Sequence, residues 1–212
     1  KKDAQVIFLL GDLFDFWFEY YRSVPKGFTR VLGKLAELSD SGIKIYFFVG
    51  NHDYWTRDYF QEEIGVEVLK KPTEFKINNK LFFIGHGDGL GPGDFKYKFL
   101  KRIFRNPLFI FLFRINYPWF GIPLGNFFSR KNKILSGNNI KFESKENEIL
   151  YHFCKKKLNV KHYDFFVFGH RHLPLKIELG NNSYYFNTGD WINHYSFLHF
   201  KDDSLQLKYF KN

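Results

Sequence analysis

Four short blocks carry the side chains that could do chemistry: Gly11-Asp12-Leu13-Phe14-Asp15, Gly50-Asn51-His52-Asp53, Gly85-His86-Gly87-Asp88 and Gly169-His170-Arg171-His172. Carboxylate and amide oxygens, together with imidazole nitrogens, are ligands for divalent cations. A pair of such cations about 3.5–4 Å apart polarises a phosphoryl group, lowers the pKa of a water and steadies both attacking and leaving oxygens. That chemistry needs one shared carboxylate, and Asp12, the first acid after an apolar run, is the natural bridge. Each block also has a plainer use. Asp12 could close a turn, Asn51 could form an Asx-turn, and His86 between glycines could be a turn histidine. His170 and His172 alternate, so on an extended chain they share one face and each can approach a different cation. All four blocks in this order favour metal-dependent cleavage of a phosphate ester or anhydride.

Such side chains must be delivered by elements that end where the blocks begin. Gln5 to Leu10 is an apolar, β-rich run, read as a buried parallel strand ending at Gly11-Asp12. Ile43 to Val49 is a second buried strand, ending at Gly50-Asn51. Glu74–Ile77 and Lys80–Ile84 flank Asn78-Asn79 as a hairpin whose second arm delivers His86. Phe165 to Phe168 delivers His170. Phe28 to Leu38 has helical spacing and stops at Ser39-Asp40-Ser41-Gly42. Tyr54 to Ile64 and Glu143 to Leu158 also read as helices. Lys176–Leu179, Ser183–Asn187, Ser196–Phe200 and Leu205–Tyr209 read as antiparallel strands. The alternation predicts a layered α/β sandwich. From Lys96 to Leu135 the pattern becomes helical, broken by Pro107, Pro118 and Pro123. The expected organisation is a core of residues 1–94 and 143–212 with residues 95–142 as an aromatic, basic cap.

Composition bounds the rest. The 212 residues suit one domain with an insertion, and 29 Phe supply ample core. Cys154 is the only cysteine, which excludes an internal disulfide and suggests a reducing compartment. No stretch nears the ~18–20 apolar residues that span a bilayer; the longest run is Leu108 to Phe113. The chain has no Met and no signal-like start, so its natural N-terminus is expected to lie ahead of Lys1. Between Phe95 and Phe142 there is no acidic residue but ten basic ones: Lys96, Lys98, Lys101, Arg102, Arg105, Arg114, Arg130, Lys131, Lys133 and Lys141. The whole formal charge of +10 therefore resides there, a field that attracts an anionic partner. Aromatic residues, among them Phe99, Phe109, Phe111, Tyr117, Trp119 and Phe127, are interleaved with these cations. Stacked bases of a nucleic acid would suit such a surface, and an ordinary helical subdomain would account for many of the rings. Acyl chains with anionic head groups suit it better.

The stretches GDLFDFWFEY, GNHDYW, FFIGHGDGLGPGD, FGHRHLPL and NTGDWI resemble the calcineurin-like metallophosphoesterases. Within them the chain is similar to the UDP-2,3-diacylglucosamine diphosphatases of Bacteroidetes-type bacteria. The resemblance implies a four-layer α/β/β/α sandwich with a helical cap insertion and two divalent metal ions, manganese by preference. It implies that Asp12 bridges the metals, that Asn51, His86 and His170 complete the second, and that His172 belongs to the first. His52 would sit over the attacked phosphate, stabilising charge or protonating the leaving group, with Asp15 orienting it. Many proteobacterial relatives have Arg at the His52 position. Asp94, Tyr97, Ser129, Lys131 and Lys133 would hold the sugar and phosphate of the substrate.

The implied reaction is hydrolysis of the pyrophosphate of UDP-2,3-diacylglucosamine to UMP and 2,3-diacylglucosamine 1-phosphate, in lipid A biosynthesis. It would run in the cytoplasm on the inner-membrane surface, with no nucleic-acid partner. The family's Asp-x-His block, further ligands of the first metal, is expected upstream of Lys1; a chain truly lacking it would be a one-metal scaffold. The alternative enzyme is a phosphodiesterase or phosphatase acting on a nucleotide or phosphoprotein.

Overall fold

A computed structural model describes residues 4–93, 95–135 and 142–210, without the side chains of residues 126, 128 and 130–135. The chain folds into two compact units, Lys1–Lys71 with Phe95–Asn138, and Pro72–Asp94 with Asn139–Asn212.

The first unit is built on a parallel sheet in the order β1-β2-β3, from β1 (Val6–Leu9), β2 (Lys44–Phe48) and β3 (Glu67–Leu69). Ile45, Phe47 and Phe48 of β2 are buried, as expected of a central strand. β1 differs from its expectation: it is parallel but only half-buried, because among the described strands it has β2 as its one neighbour. β3 has too few residues for a periodic signal. α1 (Thr29–Asp40) buries Leu32 and Leu35 against a cluster that includes Phe14, Trp17, Phe47, Val49 and Phe60.

The helix expected over residues 54–64 is cut back to α2 (Tyr59–Glu62). Glu19 explains the difference. Its carboxylate is buried, with Oε1 accepting from Trp17 Nε1 at 3.0 Å and Oε2 accepting from the N–H groups of Arg57, Asp58 and Tyr59 at 2.7, 3.1 and 3.3 Å. An acid at that place satisfies the orphan donors of a helix start and fixes where the helix can begin. Upstream, Glu19 N–H donates to Trp55 O and Trp17 N–H to His52 O. The segments 17–19 and 52–55 therefore run side by side.

The basic, aromatic region belongs to this unit as α3 (Phe95–Phe104), α4 (Pro107–Ile115) and α5 (Pro118–Leu135). Two of the three prolines open helices, where a missing N–H costs nothing. Asn106 caps α4 by accepting from Leu108 N at 2.9 Å. Pro123 does not break the pattern as expected but lies inside α5. The helices pack Ile110, Phe113 and Ile122 against Phe16, Phe18 and Tyr20. A Cβ on Gly125 would meet the Phe16 ring at 2.5 Å, so glycine lets α5 close on that ring.

The second unit holds a mixed sheet in the order β4-β5-β6-β8-β7. Its strands are β4 (Thr73–Ile77), β5 (Lys80–Gly85), β6 (Phe165–Phe168), β7 (Pro174–Gly180) and β8 (Ser183–Thr188). β5, β6 and β8 run parallel, while β4 and β7 are antiparallel flanks. The β4–β5 hairpin turns at Asn78 with φ 53°. α6 covers Ile149–Leu158 rather than starting at Glu143, because Ser144 Oγ and Glu143 engage Asn147 in a local turn that competes with helix. Leu150 and Cys154 of α6 pack with Phe83, Phe166, Phe168 and Tyr185. Burial pushes the Cys154 thiol well up, so it is a packing residue rather than a nucleophile. β9 (Ser196–Lys201) and β10 (Ser204–Tyr209) form a separate hairpin.

The loop between β8 and β9 is organised by Asp190. Burial works against its charge, but the N–H of Asn193, the His194 side chain and the N–H groups of Ile192 and His194 outweigh it. Together they bring the pKa down from 3.8 to about 2. A depressed carboxylate adds stability that is fully present above the unfolded-chain value and is lost as pH falls through the folded one. Asp190→Asn is expected to lower the melting temperature by about 5 °C near neutrality. That gap should close as pH falls from about 5 toward 2, and circular dichroism melts across this range check it.

Candidate active site

In the first unit, β1 ends in two left-handed residues, Gly11 at φ 88° and Asp12 at φ 52°. For a non-glycine residue this conformation costs about 1 kcal/mol or more and persists where the surroundings over-determine it. Here Asp12 Oδ1 accepts the N–H of His52 at 2.9 Å. Asp53, fully buried, does the same work in the other direction: Oδ2 accepts from Leu13 N–H at 2.8 Å and Oδ1 from Gly50 N–H at 2.5 Å. The blocks at 11–15 and 50–53 are thus laced together by reciprocal carboxylate-to-backbone bonds. Asn51 and Asp12 are both half-buried.

Gly50 is needed for this closeness. A Cβ there would lie 2.6 Å from Asp12 N and would overlap its carboxylate. Gly50→Ala is expected to leave the fold intact, displace Asp12 and cut activity by about 10²-fold. Metal stoichiometry and turnover measured on the same sample check this.

His52 faces two oxygens. Its Nδ1 lies 2.9 Å from the backbone carbonyl of Asp15 and 2.8 Å from Ser129 Oγ, and that hydroxyl itself donates to the Asp15 carbonyl. A carbonyl can only accept, so Nδ1 carries the proton and Nε2 is the nitrogen left for chemistry. Asp15 therefore meets the imidazole through its main chain, while its residue as a whole is exposed. Ser129, buried on α5, joins this arrangement.

In the second unit, β5 and β6 end together. His86 is buried just past β5, and its carbonyl accepts the N–H of Gly169 at 2.9 Å. The rings of His86 and His170 stand 5.0 Å apart at 69°. His170 and His172 both have left-handed backbones, φ 63° and 51°. The loop between them is held by Asn187, which is fully buried and donates to the Gly169 carbonyl. It is also held by Arg171, whose N–H donates to the same oxygen at 2.7 Å. The extended chain on which His170 and His172 were expected to share one face is not formed: past β6 both lie in a turn with left-handed backbone.

The donor chemistry fits divalent ions: a carboxylate, an amide and three imidazoles, four of them immobilised by backbone bonds to neighbouring blocks or by strained φ angles. Of the remaining expected residues, Tyr97 is half-buried on α3, with Lys101 Nζ 6.0 Å from its ring centre. Asp94 and the side chains of Lys131 and Lys133 lie outside the described residues. Sequence reasoning missed Glu19, Asp53, Asn187 and Glu148, all buried and all bonded to the blocks or their flanks. Asp53 had a signal, being the last letter of Gly-Asn-His-Asp.

Basic side chains of α3–α5 are partly used inside the unit. The guanidinium of Arg105 stacks 4.0 Å from the centre of the Tyr54 ring, and that of Arg114 lies over Phe18 and Tyr21 at 5.7 and 5.5 Å. In contrast, Phe95, Tyr117 and Trp119 are 82%, 74% and 76% exposed. Among the described residues, no helix is long and apolar enough to cross a membrane.

The UDP-2,3-diacylglucosamine hydrolase of Porphyromonas gingivalis is 38% identical over 223 aligned residues, covering 98% of this chain and 84% of that protein. The enzyme of the same name from Ectopseudomonas mendocina is 30% identical over 196 residues, covering 90% of this chain and 78% of it. That from Vibrio vulnificus is 25% identical over 222 residues, covering 97% and 84%. A family model described as calcineurin-like phosphoesterase matches residues 1–174, a span that takes in all four blocks. With that model matching most of its length, the chain belongs to the calcineurin-like phosphoesterases.

Proposed function

We propose that this chain hydrolyses the pyrophosphate bond of UDP-2,3-diacylglucosamine, releasing UMP and 2,3-diacylglucosamine 1-phosphate. The observation that carries the reading is near-full-length similarity, 38% identity over 98% of the chain, to a relative of that name. Asp12, as the bridge, with Asn51, His86 and His170 would hold one divalent ion, and His172 would contribute to the other. Bound divalent ions, Mn2+ by choice of donors, supply charge neutralisation at the phosphoryl group and a water of lowered pKa.

The chain's own residues do the rest. Asp12, tied to His52 N–H, keeps its carboxylate directed where the blocks meet. His52, its Nδ1 proton committed to the Asp15 carbonyl and Ser129, presents Nε2 to the attacked phosphate or the departing oxygen. Tyr97, Ser129, Lys131, Lys133 and Asp94 are assigned to the sugar and phosphate.

The exposed apolar side chains of α3–α5, interleaved with Lys and Arg, are assigned to the acyl chains and to the inner-membrane surface. Burying the exposed rings of Phe95, Tyr117 and Trp119 against lipid would recover surface that is costly in water.

The test is UMP release from UDP-2,3-diacylglucosamine with added Mn2+, run beside bis(p-nitrophenyl) phosphate. Release of UMP with a kcat/KM at least about 100-fold above that for the generic diester supports the reading. Equal rates on both would make the chain a general phosphodiesterase. Sedimentation with anionic vesicles, compared with Trp119→Ser in Phe95→Ser background, tests the surface assignment.

A further inference from the structure

Beneath the loop that carries His170 and His172 lies Glu148, a buried acid that the reaction as described does not use. Its side chain is 2% exposed and immediately precedes α6, and its Oε2 accepts from Arg171 Nε at 3.2 Å. Among the described residues, Oε1 has no hydrogen-bond partner. A buried carboxylate with a single charged partner immobilises that partner, because separating them leaves both charges uncompensated. Arg171 is the residue between the two imidazoles, and its neighbours on both sides are left-handed. Such a backbone keeps its shape only when contacts on several sides determine it. Asn187 secures the carbonyl of Gly169 at the entrance of the loop; Glu148 secures its middle.

We propose that Glu148 is a positioning residue of the hydrolytic site, anchoring Arg171 and thereby setting the direction of His170 and His172. The inference rests on the metal-dependent reading above and deepens it. Ligand-orienting partners outside the immediate donor set govern how well a metal is held. A polar cavity of about 170 Å³, lined by Phe142, Glu143, Ser144, Asn147, Glu148 and Arg171, adjoins the pair. A small carboxylate can therefore reach the guanidinium when the Glu148 side chain is shortened.

Mn2+ binding by titration calorimetry and turnover of bis(p-nitrophenyl) phosphate, on wild type, Glu148→Ala, Glu148→Gln and Arg171→Lys, test the proposal. Glu148→Ala should bind Mn2+ about tenfold more weakly or worse. Its kcat should fall while KM for the diester moves by less than about twofold. Added formate should restore part of the lost affinity. Glu148→Gln, which keeps an acceptor for Arg171 Nε, should fall between. Wild-type Mn2+ affinity in Glu148→Ala overturns the proposal, as does a loss that formate leaves untouched. If Glu148→Ala does not fold, Arg171→Lys decides: unchanged Mn2+ affinity there is equally fatal. A wild type that binds Mn2+ but releases no UMP from the diacyl substrate overturns the substrate reading alone. A wild type that binds no Mn2+ overturns both.

Discussion

His52→Ala is expected to lower kcat by about 10²–10⁴-fold, the range of a lost general acid or charge-stabilising imidazole. Bound metal per chain should stay at the wild-type value. The separation follows from which atoms do what. The bond that steadies Asp12 comes from the main-chain N–H of His52, at 2.9 Å, and alanine keeps that N–H. Only the ring disappears, and with it Nε2, the nitrogen left for chemistry once Nδ1 is engaged by the Asp15 carbonyl. KM should move little, since the lost interaction belongs to the transition state. Ser129→Ala offers a graded version: it removes the hydroxyl 2.8 Å from Nδ1 but leaves the carbonyl, so the ring keeps its tautomer and loses part of its restraint. Steady-state kinetics beside metal analysis check both. Metal loss on His52→Ala would move this residue from the phosphate to the ligand set.

Asp53→Ala should damage both stability and turnover. The carboxylate is fully buried and satisfies two main-chain donors, Leu13 N–H at 2.8 Å and Gly50 N–H at 2.5 Å. Removing it leaves a buried N–H on Gly50 and a half-buried one on Leu13 without their acceptor, at about 1–3 kcal/mol each. For a chain of this size that corresponds to a fall of about 10 °C in melting temperature. The Leu13 bond also ties the block containing Asp12 to the block containing Asn51 and His52. Activity should therefore fall further than stability alone would take it, even at temperatures where the variant is folded. Asp53→Asn keeps one acceptor oxygen and should lie between, with the larger loss in turnover. Thermal unfolding and kcat at about 20 °C below the variant's midpoint separate the two effects. A variant that melts like wild type would remove Asp53 from the support of the site.

Much of the core was legible because its signals are local. Apolar runs at 5–10, 43–49 and 165–168 became parallel strands β1, β2 and β6, and Asn78-Asn79 became the hairpin turn. What went unread depended on partners distant in sequence. The helix expected over 54–64 starts only at Tyr59 because Glu19, some forty positions upstream, claims the N–H groups of 57–59. β3 has three residues and is a strand because β2 is beside it. Half of β1's expected burial is missing for the same kind of reason: exposure is set by neighbours, and an apolar string does not say how many it has.

The sequence by itself determined which atoms are available for chemistry: an acid, an amide and three imidazoles, each placed after a run that extends as a strand. Residue type and order suffice for that, because ligand chemistry and strand period are properties of the chain. Only the tertiary structure decided how those atoms are held. It put Asp12, His170 and His172 in left-handed backbone, committed the Nδ1 of His52 to a carbonyl, and buried Asp53, Asn187 and Glu148 as the restraints behind them. The physical reason is that a strained or directed conformation is stable only where hydrogen bonds from remote segments converge on it, and that convergence is written in no local pattern.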